Sequence, residues 1–218
     1  MSKIFKMLMV VLVVGLMFCG NSFAARIDFN DSVFSGCKDQ VNCTRTVDGI
    51  DLTFEALSST GSPKLWWDNV DGFGVSGVGY EGDEVENPEV LSITFDAPQF
   101  VENFYLTDFF YEKEGSHWYQ ERGSYSLDGG STWVGFMQTD LSQTQANGNG
   151  LFTLAIGSLV DEVLFTAPGR LSTPCWTEGH EISVLAVDVA PVPEPATMLL
   201  LGSGLIGLAG FGRKKFIK

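Results

Sequence analysis

Ile50-Asp51-Leu52-Thr53-Phe54-Glu55-Ala56 alternates apolar and polar residues without a break. Successive side chains of a strand point to opposite faces, so a period of two predicts a half-buried strand with Ile50, Leu52, Phe54 and Ala56 facing inward. Leu91-Ser92-Ile93-Thr94-Phe95-Asp96 repeats the pattern and is closed by Pro98. Outward from these two, Arg26-Ile27-Asp28-Phe29 reads as a first edge strand, and residues 100–110 as a long aromatic-rich strand or a bent pair. Residues 151–156, 163–166 and 182–189 complete the set. The last is almost wholly apolar and belongs in a central position covered on both faces. Nothing between Ala25 and Ala190 sustains a helical period. Eight or nine short strands with glycine-rich turns predict an all-β chain, an antiparallel jelly-roll-like β-sandwich.

Ser126-Leu127-Asp128-Gly129-Gly130-Ser131-Thr132-Trp133 fits the pattern S-x-D-x-G-x-T-W and resembles the Asp box of sialidase-like propellers. A propeller repeats the box and this chain has it once, so it reads as a hairpin device. Its Asp128 would bind the backbone of the turn while Trp133 packs against it.

The two ends are targeting segments rather than fold. Lys3 and Lys6, the apolar run 7–18 and Ser22-Phe23-Ala24 have the layout of a signal peptide over residues 1–24. Cys19 follows the bulky Phe18, which argues against a lipoprotein signal. At the other end, residues 196–212 carry no charge, and Arg213, Lys214, Lys215 and Lys218 follow. As a helix that run is near the lower length for crossing a bilayer, with its basic end held in the cytoplasm. Pro193 and Pro195 bracket Glu194 and forbid helix just before it. The division is therefore a signal peptide (1–24), an ectodomain (25–190), an extended stem (191–195) and a transmembrane helix with a basic tail (196–218).

Pro193-Glu194-Pro195, a glycine-rich apolar run and a terminal basic cluster together resemble the PEP-CTERM sorting signal. That resemblance implies an exosortase as processing partner, a membrane anchor that lasts until processing, and delivery to the cell surface or extracellular matrix of an exopolysaccharide-producing bacterium.

Residues 25–193 hold 7 Lys and Arg against 26 Asp and Glu, a formal net of −19. Such a surface repels nucleic acid and suits solubility and cation binding. Cys37 and Cys43 lie six apart in a polar stretch and predict a small-loop disulfide in an oxidising compartment, leaving Cys175 over.

The candidate sites cluster in Trp66-Trp67-Asp68-Asn69-Val70-Asp71-Gly72-Phe73-Gly74-Val75 and the acidic run Asp83-Glu84. This W-D-x-x-D-G-x-G-V segment is similar to segments of other PEP-CTERM ectodomains. Carboxylates on irregular loops suit Ca²⁺, which makes Asp68, Asp71, Asp83 and Glu84 the candidate ligands of a structural calcium cofactor. Trp66, Trp67 and Trp118 offer apolar faces on which a sugar ring could stack. His117 and His180 stand in different contexts, and no nucleophile or zinc motif is present. The sequence therefore predicts a non-enzymatic surface or matrix protein associated with exopolysaccharide, the competing class being a secreted glycan-acting hydrolase with an unidentified carboxylate pair.

Overall fold

The structure is a computed structural model that describes residues 25–77, 83–114, 117–144, 149–168, 180–190 and 202–205, the side chains of 112–119 excepted. The signal segment, Cys175, Pro193, Glu194, Pro195 and most of the apolar run lie outside the described residues. Residues 202–205 are helical, and no described helix is long and apolar enough to cross a membrane.

Twelve strands are described: β1 (Ala25–Asp28), β2 (Asn42–Val47), β3 (Ile50–Ser58), β4 (Lys64–Asp68), β5 (Gly72–Ser76), β6 (Glu89–Thr107), β7 (Tyr111–Glu114), β8 (His117–Gln120), β9 (Arg122–Ser126), β10 (Val134–Met137), β11 (Phe152–Thr166) and β12 (Ser183–Ala190). A 3₁₀ helix, Ser32–Cys37, is capped by Asp31, whose carboxylate accepts from the Val33 N–H. The fold is all-β and antiparallel. Ten strands form one sheet along β10-β9-β11-β6-β12-β5-β4, with β1 added to β12 and the β2–β3 hairpin added to β6.

The long antiparallel ribbon of β6 and β11 explains how one sheet encloses a core. One edge of β6 pairs with β11 along both halves of its length. Its other edge pairs with β3 over 89–95 and with β12 over 100–107. Between these halves the ladder to β11 slips at Val160/Glu162. A bulge bends a strand and strengthens its twist, so the β3 half folds over the β12–β5–β4 half in a β-sandwich-like arrangement. Pro98 sits at this slip, where its missing N–H costs no ladder bond. The strand that Pro98 was expected to close therefore runs on, and 151–156 and 163–166 likewise merge into one strand.

Between the halves Phe29, Phe34, Phe54 and Phe73 are fully buried. Phe54 stacks on Phe73 at 4.0 Å, and Phe29 and Phe34 meet both edge-on. The Cys37–Cys43 disulfide ties the 3₁₀ helix to β2 beside this cluster. Leu52, Phe54 and Ala56 are buried as the alternation requires. β12 lies centrally between β6 and β5, with Val184, Ala186, Val187 and Val189 buried. Its outer face is not covered as expected, since Leu185, Asp188 and Ala190 are only half-buried. A second aromatic group, Phe109, Phe136 and Phe152, fills the far lobe.

The β9–β10 hairpin realises the Asp-box reading. Asp128 Oδ1 accepts from Ser126 Oγ at 2.8 Å and from the Thr132 N–H at 2.7 Å, and Ser126 Oγ accepts from the Gly130 N–H at 2.9 Å. These bonds, that from the Thr132 backbone first, hold the Asp128 carboxyl below its ordinary range.

Candidate functional site

The segment expected to be irregular loop is a hairpin. Trp66, Trp67 and Asp68 lie on β4, and Gly72, Phe73, Gly74 and Val75 on β5. Trp66 pairs with Gly74 and Trp67 with Phe73, so the two tryptophans face opposite sides of the sheet. Trp67 turns inward: its indole N–H donates to the Phe29 carbonyl at 2.7 Å and its ring packs on the core. Trp66 turns outward, where Lys38 Nζ stands 3.3 Å from its ring centroid and its buried indole N–H finds no acceptor among the described residues. The stacking candidates thus part company: Trp67 is a core residue, and one face of Trp66 is covered by a cation. Trp118 lies on β8, its side chain outside the described residues.

The outer face of Gly74 is crossed by the chain at 83–84. A Cβ on Gly74 would stand 1.8 Å from the Asp83 carbonyl oxygen, so only glycine permits the crossing. Backbone bonds in both directions between Val85 and Ile182 then fix this segment beside the start of β12. At the β4–β5 turn the Asp68 carboxylate accepts from the Val70 and Asp71 N–H groups, each at 2.8 Å. Thr107 Oγ1 donates to the Asp71 carbonyl at 3.1 Å, which ties the turn to the end of β6. Asp108 follows with φ of 55°, a left-handed conformation that Asp tolerates better than most residues.

The four expected carboxylates, Asp68, Asp71, Asp83 and Glu84, are therefore gathered at one end of the sheet. The fold adds Asp108 and Glu181. The electrostatics record the crowding. Burial, then the charges of Asp68 and Asp83, hold the Asp71 carboxyl above its ordinary value. Burial pushes Asp108 up to about 7, with Asp71 the largest charge acting in the same direction and a hydrogen bond from Ser183 opposing it. Glu84 is pushed far above the carboxylate range by burial, by its hydrogen bond to Asp83 and by the charge of Glu181. Its Oε2 is buried with no hydrogen-bond partner among the described residues. Like charges in a low-dielectric site cannot all ionise, so protons are retained. Among the described residues no three carboxylates, histidines or cysteines converge on a point that could hold a metal ion.

Asp108 and Glu181 escaped the sequence reading because Asp108 stands alone in an apolar run and Glu181 in the mixed polar stretch Glu178-Gly179-His180-Glu181, far in sequence from the acidic segment. A single carboxylate inside Leu106-Thr107-Asp108-Phe109-Phe110 was the available signal, since a charge in such a run must be buried or strained.

The opposite end of the sheet holds the start of β1 and the end of β12. Ala25 pairs with Val189, and β12 stops at Ala190. Residues 191–214 match the PEP-CTERM protein-sorting motif. The chain is thus an exported protein bearing the substrate signal for exosortase processing, destined for the surface or the extracellular space. Comparison with curated protein sequences finds no significant match. Among solved structures, a family 35 carbohydrate-binding module from Clostridium thermocellum is similar at 12% identity and a TM-score of 0.36, over 77% of this chain and 98% of that one, a likeness too loose to argue from.

Proposed function

We propose that the mature protein is a non-enzymatic component of the cell surface or extracellular matrix that contacts exopolysaccharide. In this reading residues 1–24 are removed as a signal peptide, residues 25–190 are the working domain, and 196–218 anchor the chain until an exosortase acts. One observation carries it: the sorting motif begins at 191, directly after the last residue of β12. The domain is delivered with almost no linker, which suits a part installed in a matrix. Support for the glycan contact comes from the outer sheet face, where Tyr105 donates to Asp188 at 2.7 Å beside Asn103 and the Arg26 guanidinium lies 4.0 Å from the Tyr105 ring centroid. Aromatic, amide and carboxylate groups on rigid strands are the groups that sugar hydroxyls and C–H faces use.

The crowded carboxylates favour a second reading, a glycan hydrolase. A carboxyl raised to about 7, as at Asp108, is the state a general acid needs beside ionised neighbours. Incubation of the processed protein with the host's own exopolysaccharide separates the two. Retention without release of reducing ends is expected. Release would establish the hydrolase, and neither retention nor release would leave a purely structural role.

A further inference from the structure

Phe100 and Leu159 are directly opposed on β6 and β11, and Phe100 is opposed on its other side by Ala190, the last residue of β12. Opposed residues of antiparallel strands share a face. Their neighbours Val101, Val160 and Val189 are buried, so Phe100 and Leu159 stand on the outer face, 36% and 61% exposed. Large apolar side chains set together in the open mark a contact surface. This one lies at the point where the chain leaves the fold. Pro193 is three residues beyond Ala190, about 10 Å of fully extended chain. An enzyme acting at Pro193-Glu194-Pro195 must therefore work against this end of the sheet. The exposed carboxylates of Asp96, Glu102 and Asp161 rim the same end and disfavour an anionic lipid surface as the occupant.

We propose that the Phe100–Leu159 pair is a docking surface for the extracytoplasmic face of the exosortase, whose matching patch is apolar and flanked by Lys or Arg. The tripeptide and apolar run then present the bond to be cut, while the folded domain adds affinity and orientation. This rests on the sorting assignment, and the test separates the two.

The full-length chain is followed by pulse-chase in a host with a matching exosortase. Phe100→Ser with Leu159→Ser should slow processing about tenfold, the scale of losing one well-placed interface contact. Leu141→Ser, 62% exposed and away from this end, should leave the rate unchanged. Leu159→Ser alone keeps the question open to test should the double variant fail to fold. A flexible Gly-Ser spacer between Ala190 and Pro191 should make processing insensitive to the Phe100 and Leu159 changes. Parental rates in the double variant overturn the docking surface, and so does equal sensitivity with the spacer present. Failure of the sorting assignment looks different: the parent is not processed, or alanines at Pro193, Glu194 and Pro195 leave processing intact.

Discussion

Two faces of one strand carry opposite lessons. The inner face of β5 presents Phe73 to a cluster in which Phe29, Phe34 and Phe54 are fully buried and every ring meets another at van der Waals distance. Its outer face, at Gly74, carries Asp83 and Glu84, which crowd against Asp71, Asp108 and Glu181. The apolar side is satisfied: area is removed from water and nothing polar is left over. The acidic side is not, because burial and like charge favour the protonated forms of Glu84 and Asp108. The first region specifies the fold. The second holds free energy that a proton, a cation or a substrate could release, and function is more often found in such places.

The ring stack is the part of the molecule most sensitive to substitution. Phe54→Ala removes a partner of three aromatic rings and should cost about 4 kcal/mol, read as a lowered urea midpoint with an unchanged slope. Loss of the neighbouring disulfide, by Cys37→Ala with Cys43→Ala, should cost about 2 kcal/mol by the same measurement, because so short a loop restricts the unfolded chain only modestly. Calcium is the gentlest probe and acts on the acidic side alone. If only screening acts on these carboxylates, CaCl₂ and NaCl at matched ionic strength raise Tm equally. A calcium-specific rise that vanishes in Asp71→Ala or Asp83→Ala would instead place an ion there and replace the protons in the account.

Much of the apolar side was legible. Strict alternation at 50–56 gave a strand with its inward residues, and Cys37 and Cys43 gave their bond. The Ser126–Trp133 pattern gave a hairpin with its hydrogen bonds, because Asx-type turn chemistry is local. The acidic side was legible only in part. Gly72 and Gly74 interrupt the alternation of β5, and glycine signals a turn far more often than a strand crossed by another backbone. The approach that demands Gly74 comes from the chain at 83–84, which no local pattern reveals. Asp108 joins Asp71 across 37 positions of sequence, and Glu181 joins from farther still. Carboxylates that meet only through tertiary packing leave no spacing to read. Pro98 misled for a related reason: whether a proline ends a strand depends on whether its neighbour in the ladder needs an N–H, and at a bulge it does not.

Proton retention in the outer cluster at neutral pH is read most cleanly at Asp108. Its folded value of about 7 lies above its ordinary 3.8. Between those values the folded chain keeps a proton that the unfolded chain releases. The contribution is therefore fully present below about pH 4, is lost as pH rises toward about 7, and changes no further above that. From pH 5.5 to 8 the loss should be on the order of 2 kcal/mol. Asp108→Asn stays neutral and tolerates the left-handed backbone, so it should remove this loss and leave the variant more stable than the parent at pH 8. The measurement is the unfolding free energy of parent and variant at both pH values. A parent whose stability falls with pH, with a markedly shallower fall in Asp108→Asn, is the predicted result. Parallel slopes in the two proteins, or a parent whose stability is flat or rises over this range, would contradict it.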